Sequence, residues 1–226
     1  MPRVEALAPA ARAEPPRPRR GTDLAELADA RFRALVGEAQ WAQLPEPVQR
    51  RFSKRLAPGE TIVYRGTVVA TELSRAGRAL AFLARAIGAP LPVTNGATGP
   101  AVVVVSEDDA LGGQSWTRMY ARPGRFPQVV HSAKRFRGAT GLEEYVGYGV
   151  GMALKVTVEE RALVFRSEHF FVGLGKWRWR LPRLLEPGVM RIIHREEGDG
   201  RFAFALELTH PVLGRLISQL AYFADP

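Results

Sequence analysis

The sequence predicts an α+β fold with N-terminal helices followed by a long, strongly curved antiparallel β-sheet that packs on a helix. Apolar residues first recur at helical spacing, and from Ala101 onward short alternating segments follow one another between turn-forming residues. The almost wholly β pattern of this second part favours antiparallel pairing of neighbours. Because a long twisted sheet curls, we expect a half-barrel or barrel-like form.

The chain begins with a segment for which we predict disorder. Residues 1–22 are rich in Ala, Pro and Arg and show no apolar period. We therefore expect a disordered leader, followed by a single α+β domain at residues 23–226. Asp23 and Glu26 resemble a capping box, which predicts a first helix from Asp23 to a stop at Gly37.

Two more helices are predicted before the main run of strands. A short one follows Pro47, and a longer one occupies residues 72–87 with Thr71 as its N-cap. Between them, residues 60–70 are apolar and β-branched, which indicates a strand. The 72–87 helix carries small residues that allow close packing, so we expect it in the concave face of the sheet. Residues 89–100 are predicted to be a loop.

Eight or nine antiparallel strands account for most of the chain. Residues 201–208 alternate in polarity, so this strand buries one face, and residues 189–195 pair with it across a glycine-containing turn. Residues 141–151 fit either a bent strand or a loop, and residues 211–226 fit either a helix or a closing strand. The strands predicted after the loop are 102–105, 115–120, 128–134, 152–158, 163–166, 168–172, 176–181, 189–195 and 201–208.

Composition excludes several classes of function. The chain has no cysteine, which excludes disulfides, thiolate metal sites and a cysteine nucleophile. No apolar run is long enough to span a bilayer and no signal peptide is recognisable, so we predict a cytoplasmic protein.

The net charge of +9 suits an acidic partner such as nucleic acid or an anionic membrane. Nearly all basic residues are arginines, which indicates a general compositional bias, and no basic-aromatic motif supports nucleic-acid binding.

An ordered series of short motifs runs through the chain. It consists of Val36-Gly37, Leu44-Pro45-x-x-Val48, Gly66 with Val69, Gln114-x-Trp116-x-Arg118-x-Tyr120, Phe126, Ser132, Asp199-Gly200-x-Phe202 and Pro211-x-x-Gly214. On this series, residues 30–223 resemble a bacterial family known as domain of unknown function 4166. The chain departs from the family pattern at Gln114, Tyr120 and Phe52, where the pattern has Glu, Phe and His.

The resemblance implies at most an accessory role in oxidoreductase systems. Relatives are often fused or adjacent to NAD(P)-dependent dehydrogenase or epimerase domains. This chain has no dinucleotide-binding Gly-x-Gly-x-x-Gly motif after a strand, so we predict no bound cofactor. A partner oxidoreductase is therefore one predicted partner.

Trp116, Arg118 and Tyr120 share one face of a predicted strand. If that face is concave, Arg118 is a cation in an apolar hollow, suited to a carboxylate or phosphate head group. If the face is exposed, or if Arg118 pairs with Glu143 or Glu144, its role is structural. The sequence does not decide between these alternatives.

A second aromatic pattern lies at residues 176–181, where Trp177 and Trp179 alternate with basic residues. This arrangement fits a stacking platform for bases or a basic face for anionic lipid. We favour buried tryptophans with solvated cations, because large aromatic residues in sheets are usually buried.

The four histidines, His131, His169, His194 and His210, fall on different predicted elements, so we predict no metal site. His194 shares a strand face with Met190 and Ile192, which favours a hydrogen-bonded core histidine. Neither a nucleophile elbow nor a phosphate loop is present, and we predict no catalytic residues.

These observations favour a non-catalytic module that binds a lipid-like or small hydrophobic ligand, or one with an anionic head group. The alternatives are an interaction domain for an oxidoreductase and an enzyme that uses Arg118 with His131 or His194 as acid or base. The candidate ligand-binding residues are Trp116, Arg118, Tyr120, His131, Trp177, His194 and Phe204.

Overall fold

A closed antiparallel β-barrel of ten strands forms the centre of the molecule. The computed structural model describes residues 27–57, 59–86, 88, 91–92, 94–108, 111–174 and 177–226. In chain order, the strands are β1 (Leu27–Ala28), β2 (Lys54–Arg55), β3 (Thr61–Leu73), β4 (Gly99–Asp108), β5 (Gly113–Arg122), β6 (Arg125–Arg135), β7 (Leu142–Gly147), β8 (Val150–Glu159), β9 (Ala162–Leu174), β10 (Trp177–Arg180), β11 (Val189–Gly198), β12 (Arg201–His210) and β13 (Gly214–Ala224). The helices are α1 (Arg31–Val36), α2 (Glu38–Trp41), α3 (Glu46–Phe52) and α4 (Arg75–Ala86), and Arg183–Leu185 forms a 3-10 turn.

The barrel strands run in the order β9-β11-β12-β13-β3-β4-β5-β6-β7-β8, and β8 pairs again with β9 to close the sheet. Closure depends on β9, which pairs with β8 along one edge and with β11 along the other. Beyond the end of β11, the same edge of β9 carries the short strand β10. The half-barrel alternative is therefore wrong, because β9 leaves neither of its edges open along the barrel wall.

Helices α1–α3 cover one end of the barrel, which we call the plugged end. Phe32 of α1 lies with its ring centroid 5.1 Å from Phe52 and 4.9 Å from Phe136, both in edge-to-face geometry. Arg51 of α3 binds Asp225 and Glu196, and its guanidinium lies 4.2 Å from the Phe202 ring centroid. Apolar packing and ion pairs together hold these short helices on the barrel.

The opposite end, which we call the mouth, carries α4 and the 3-10 turn. Helix α4 packs on β13 through Gly77, where an added Cβ would come within 2.0 Å of the Leu216 carbonyl oxygen. The 72–87 helix predicted for the concave face is this α4. Because the sheet closes, the helix lies against the ends of β3 and β13 and covers part of the mouth.

The start of α4 differs from its predicted start. Thr71 is not the N-cap, because it lies buried within β3, where its hydroxyl oxygen accepts a hydrogen bond from the amide of Gln219 at 3.3 Å. Ser74 takes the capping role instead, and its hydroxyl oxygen accepts a hydrogen bond from the backbone N–H of Gly77 at 3.0 Å. Strand β3 therefore ends at Leu73, directly before the capping residue Ser74.

The predictions for the N-terminal part of the chain have different outcomes. The leader and the Asp23 capping box lie outside the described residues. Leu27 and Ala28 are not helical, because they pair with Arg55 and Lys54 as a two-stranded ribbon, and α1 begins only at Arg31. The helix after Pro47 is confirmed as α3.

Both segments that the sequence left open are strands. Residues 141–151 form β7, a turn with Tyr148 at a φ of 39°, and the start of β8. Residues 211–213 are a turn, and β13 then closes the sheet between β12 and β3. None of the helices in the described part of the chain has the length and apolar character needed to cross a membrane.

Candidate functional site

An apolar cavity of about 340 Å³ lies inside the barrel and opens at the mouth. Its walls are the inward-facing side chains of strands from around the barrel, because alternate residues of each strand point to the axis. Leu83 of α4 and Leu185 of the 3-10 turn form part of its rim. The wall residues include Val130, Met152, Phe170, Ile192, Leu206 and Leu208.

Arg118 faces into this cavity. The register pairs Trp116 with Ser132 and Arg118 with Val130, and directly paired residues share a face of the sheet. The side chain is buried, and its Nη1 donates a hydrogen bond to the hydroxyl oxygen of Ser132 at 3.0 Å. The cation therefore lies at the base of an apolar space.

Arg118 belongs to a buried group of charges, which we call the charge cluster and which also contains Lys134 and Glu144. Lys134 and Glu144 are direct partners in the β6–β7 register, and the lysine Nζ lies 3.2 Å from Glu144 Oε1. Arg118 Nη2 lies 3.7 Å from the same oxygen. Two basic groups thus share one carboxylate, whose other oxygen is buried without a hydrogen-bond partner among the described residues.

Electrostatics keeps Glu144 ionised. Burial alone would raise the pKa of this carboxyl, but the charges of Lys134 and Arg118 outweigh burial, and the pKa is lowered. Burial is also the largest influence on Lys134 and lowers the pKa of its amine, with Arg118 adding to the effect and Glu144 opposing it. Since the Glu144 carboxylate lies directly opposite Lys134, it favours the protonated form of the lysine.

Tyr120 adds a neutral polar group to the cavity wall. Burial raises the pKa of its phenol, with Arg118 opposing the shift. The hydroxyl therefore stays protonated at neutral pH and can donate a hydrogen bond.

A narrower hollow of about 40 Å³ lies toward the plugged end and is lined by Trp116, His194 and Phe204. His194 is buried as predicted for a core residue, with its ring stacked on Phe202 at a centroid distance of 4.5 Å. Its Nδ1 has no hydrogen-bond partner among the described residues. Burial, with the nearby charges of Arg51 and Lys134, lowers the pKa of this imidazole to about 3.

The structure does not bring all predicted residues together. His131 lies on β6 with an exposed side chain, and its Nδ1 is 3.2 Å from the Thr117 hydroxyl. Thr117 and His131 are register partners next to the inward pair Trp116–Ser132, so both point outward. The imidazole therefore lies on the opposite side of the sheet from the charge cluster.

Trp177 and Trp179 are 70% and 52% exposed, so the prediction that they are buried is wrong. They lie on β10, which pairs only with β9 and projects from the barrel at the mouth. Their rings stack on each other at a centroid distance of 6.3 Å, and Trp177 is not part of the cavity wall.

An acid–base pair of Arg118 with a histidine finds little support in this geometry. His194 shares only the narrow hollow with Arg118, and that space holds a few water molecules at most. Among the described residues, no group of three or more His, Asp or Glu side chains could hold a metal ion.

Sequence reasoning missed Lys134 and Ser132 as site residues and named Glu144 only as a structural partner for Arg118. A usable signal was present, because positions 132 and 134 alternate along a strand opposite position 116. Recognising it required knowledge of the register and of which sheet face is internal.

These features define a closed antiparallel β-barrel with an internal apolar cavity and a buried charge cluster at its base. The chain belongs to the family described as domain of unknown function DUF4166, whose model matches residues 44–223. This match confirms the predicted resemblance. No curated protein matches the chain, and no solved structure does.

Phe52 and Gln114 lie in one region of the molecule. Both line the narrow hollow beside His194, and the Phe52 ring meets the imidazole edge-to-face at 5.1 Å. An aromatic ring and a neutral amide therefore lie near the buried His194 imidazole.

Proposed function

We propose that the protein is a non-catalytic binding barrel for a small, mostly apolar ligand with an anionic head group. The observation that carries the proposal is the cavity of about 340 Å³, whose walls are almost wholly apolar and whose base carries Arg118. Ligand sites in proteins commonly combine this kind of wall with a few polar groups that fix orientation.

The size of the cavity supports a ligand larger than a single aromatic ring. An apolar cavity of about 150 Å³ already accepts benzene, and this cavity has more than twice that volume. Transfer of a hydrocarbon chain into it gains about 0.8 kcal/mol for each buried methylene group. A medium-length chain would therefore bind through the walls alone.

The charge cluster supports an acidic head group. Its two basic side chains share a single carboxylate, and Arg118 makes one short hydrogen bond, to Ser132, while its Nη2 lies 3.7 Å from Glu144. A guanidinium in this position can donate to a carboxylate or phosphate oxygen at the base of the cavity. Tyr120 and Ser132 offer further hydroxyl groups nearby.

Binding of a fluorescent fatty acid tests the proposal. We expect 11-(dansylamino)undecanoic acid to gain fluorescence with the wild-type protein, because its surroundings become apolar. Leu206→Trp, which fills the cavity from β12, should abolish the gain. Phe126→Trp, at the exposed tip of the β5–β6 hairpin, provides a matched control and should leave it unchanged. Equal fluorescence with both variants would contradict the proposal.

A further inference from the structure

The exposed apolar side chains are concentrated at the mouth. In the described part of the chain, twelve large apolar side chains are more than half exposed, and eleven of them lie at this end. The exception is Leu111, in the β4–β5 turn at the plugged end. Soluble domains usually scatter such residues singly, whereas a concentration of them marks an interaction surface.

These side chains come from several separate elements and turns that reach the mouth. Phe82 belongs to α4, Phe126 to the β5–β6 hairpin, Trp177 to β10, Leu184 to the 3-10 turn and Val212 to the β12–β13 turn. The cavity opens within this ring, since Leu83 and Leu185 are both exposed and part of its rim. The apolar surface is therefore continuous with the apolar interior.

The charge at the mouth is strongly positive. Exposed arginines stand among the apolar residues on α4, on the β5–β6 hairpin, on β10 and on the 3-10 turn; they include Arg78, Arg85, Arg125, Arg180 and Arg183. The acidic residues described at this end are Glu72, paired with Arg215 at 2.7 Å, Glu186, and Glu207, which shares the register partner Ser218 with Glu72.

The plugged end has a different charge balance. Carboxylates are numerous there, and several arginines pair with them, as in Arg31–Glu107, Arg135–Asp108 and Arg51–Asp225. The excess positive charge of the described fold therefore lies at the mouth, beside the exposed apolar residues.

We propose that the mouth docks onto the surface of an anionic phospholipid bilayer, with its apolar side chains among the lipid chains and its arginines at the head groups. Tryptophan and arginine favour this depth of a membrane, and basic residues near an anionic surface each strengthen binding. The several separate turns form a ring of apolar tips around an opening, which suits a bilayer better than a compact protein epitope. This inference goes beyond ligand binding and does not depend on it.

Flotation with lipid vesicles tests the docking surface. We expect the wild-type protein to bind vesicles of phosphatidylcholine mixed with phosphatidylglycerol, to bind phosphatidylcholine alone much more weakly, and to dissociate as salt is raised. Arg180→Glu combined with Arg183→Glu should lower partitioning at least about 25-fold, since each arginine contributes about fivefold. Trp177→Ser combined with Leu184→Ser should lower it about tenfold or more.

Matched controls lie at the plugged end. Arg201→Glu and Leu111→Ser make the same kinds of change on exposed residues there and should bind vesicles as the wild type does. Circular dichroism confirms that each variant is folded. The cavity-filling Leu206→Trp should also retain vesicle binding, which separates failure of docking from failure of ligand binding.

Four outcomes would overturn the docking proposal. The first is equal binding to neutral and anionic vesicles, and the second is equal binding by the mouth variants and their controls. The third is that the wild-type protein binds a single-stranded oligonucleotide but no vesicles, and that the mouth variants lose binding to the oligonucleotide. The fourth is a dimer, seen by light scattering, that the mouth variants dissociate.

Discussion

Glu144 is the residue on which the buried charges depend. It lies 3.2 Å from the Lys134 amine and close to Arg118, so its removal would leave two buried basic groups without a counter-charge. We expect Glu144→Ala to lower the free energy of unfolding by about 3–5 kcal/mol, because an uncompensated buried charge is costly. Urea denaturation measures this loss.

A double variant provides the control for that prediction. Lys134→Met combined with Glu144→Gln removes one cation together with the anion and should be more stable than Glu144→Ala. If the double variant is the less stable of the two, Glu144 does not act as the counter-charge for this lysine.

Arg118 should determine the preference for an acidic ligand. We expect Arg118→Gln to weaken binding of 11-(dansylamino)undecanoic acid about 10- to 100-fold, because a hydrogen bond to a charged group contributes about 1.5–3 kcal/mol. The corresponding methyl ester should bind both proteins similarly. Equal losses for acid and ester would show that the guanidinium shapes the cavity and does not recognise charge.

His194 should make folding sensitive to acid. Burial lowers the pKa of the native imidazole to about 3 from its ordinary value of 6.5. Between these values the unfolded chain binds a proton that the native protein does not, so stability falls as pH falls below about 6.5, by at most about 1.4 kcal/mol per pH unit.

Replacement of the imidazole isolates this contribution. His194→Phe keeps an aromatic ring against Phe202 and Phe52 and should flatten the slope between pH 6.5 and pH 4. Chemical denaturation across this range measures the slope. The same slope in both proteins would mean that other groups cause the acid sensitivity.

Sequence patterns predicted which of these residues share a face of the sheet. They did not predict which residues surround that face in the folded protein. Alternation alone placed Trp116, Arg118 and Tyr120 on one face and His194 with Met190 and Ile192 on another. It could not show that the face of Arg118 is internal, because Met119 and Thr117 on the other face gave no contrast in polarity. The charge cluster also needs the β6–β7 register, which places Lys134 opposite Glu144.

At the scale of elements, the fit of α4 on β13 depends on a glycine. An added Cβ at Gly77 would come within 2.0 Å of the Leu216 carbonyl oxygen, which belongs to the backbone and cannot move away cheaply. We therefore expect Gly77→Ala to destabilise the protein or displace α4, although alanine is the better helix former by about 1 kcal/mol.

Ala79, which is exposed and lies two residues further along α4, serves as the control. Ala79→Gly should cost about 1 kcal/mol through helix propensity alone. Thermal denaturation compares the two variants. A more stable Gly77→Ala protein would contradict the close packing of α4 on β13.

The β6–β7 pairing should be the weakest seam of the barrel. It contains three register pairs, Ala133–Tyr145, Lys134–Glu144 and Arg135–Glu143, whereas β8 and β9 share ten. Since fewer ladder bonds must break, we expect the amide hydrogens of this seam to exchange faster than those of β8 and β9. Hydrogen exchange followed by NMR measures the difference, and equal protection would contradict it.

Local patterns predicted most elements but not their ends. The glycine stop at Gly37, the strand at residues 201–208 and the helix after Pro47 all follow from nearby residues. Thr71 was misassigned because a strand runs up to the cap, and its burial depends on Gln219, which is far away in sequence. Tertiary contacts overrode a local capping preference there.

At the scale of the whole molecule, closure of the sheet gives the two ends different properties. Helices α1–α3 seal the plugged end with aromatic packing and ion pairs, while the mouth keeps an opening to the cavity. The sequence indicated a curved sheet but not its closure, because closure depends on both edges of β9 being paired. The clustering of exposed apolar and basic residues at the mouth was equally hidden, since they come from distant turns.

The central claim is that an apolar ligand with an acidic head enters the barrel, and methyl NMR tests it most directly. We predict that decanoic acid shifts the methyl resonances of Met152, Ile192 and Leu206 inside the cavity, while those of Val63 and Val69 on the outer wall stay unchanged. Shifts confined to the outer wall, or no shifts at saturating ligand, would contradict the claim.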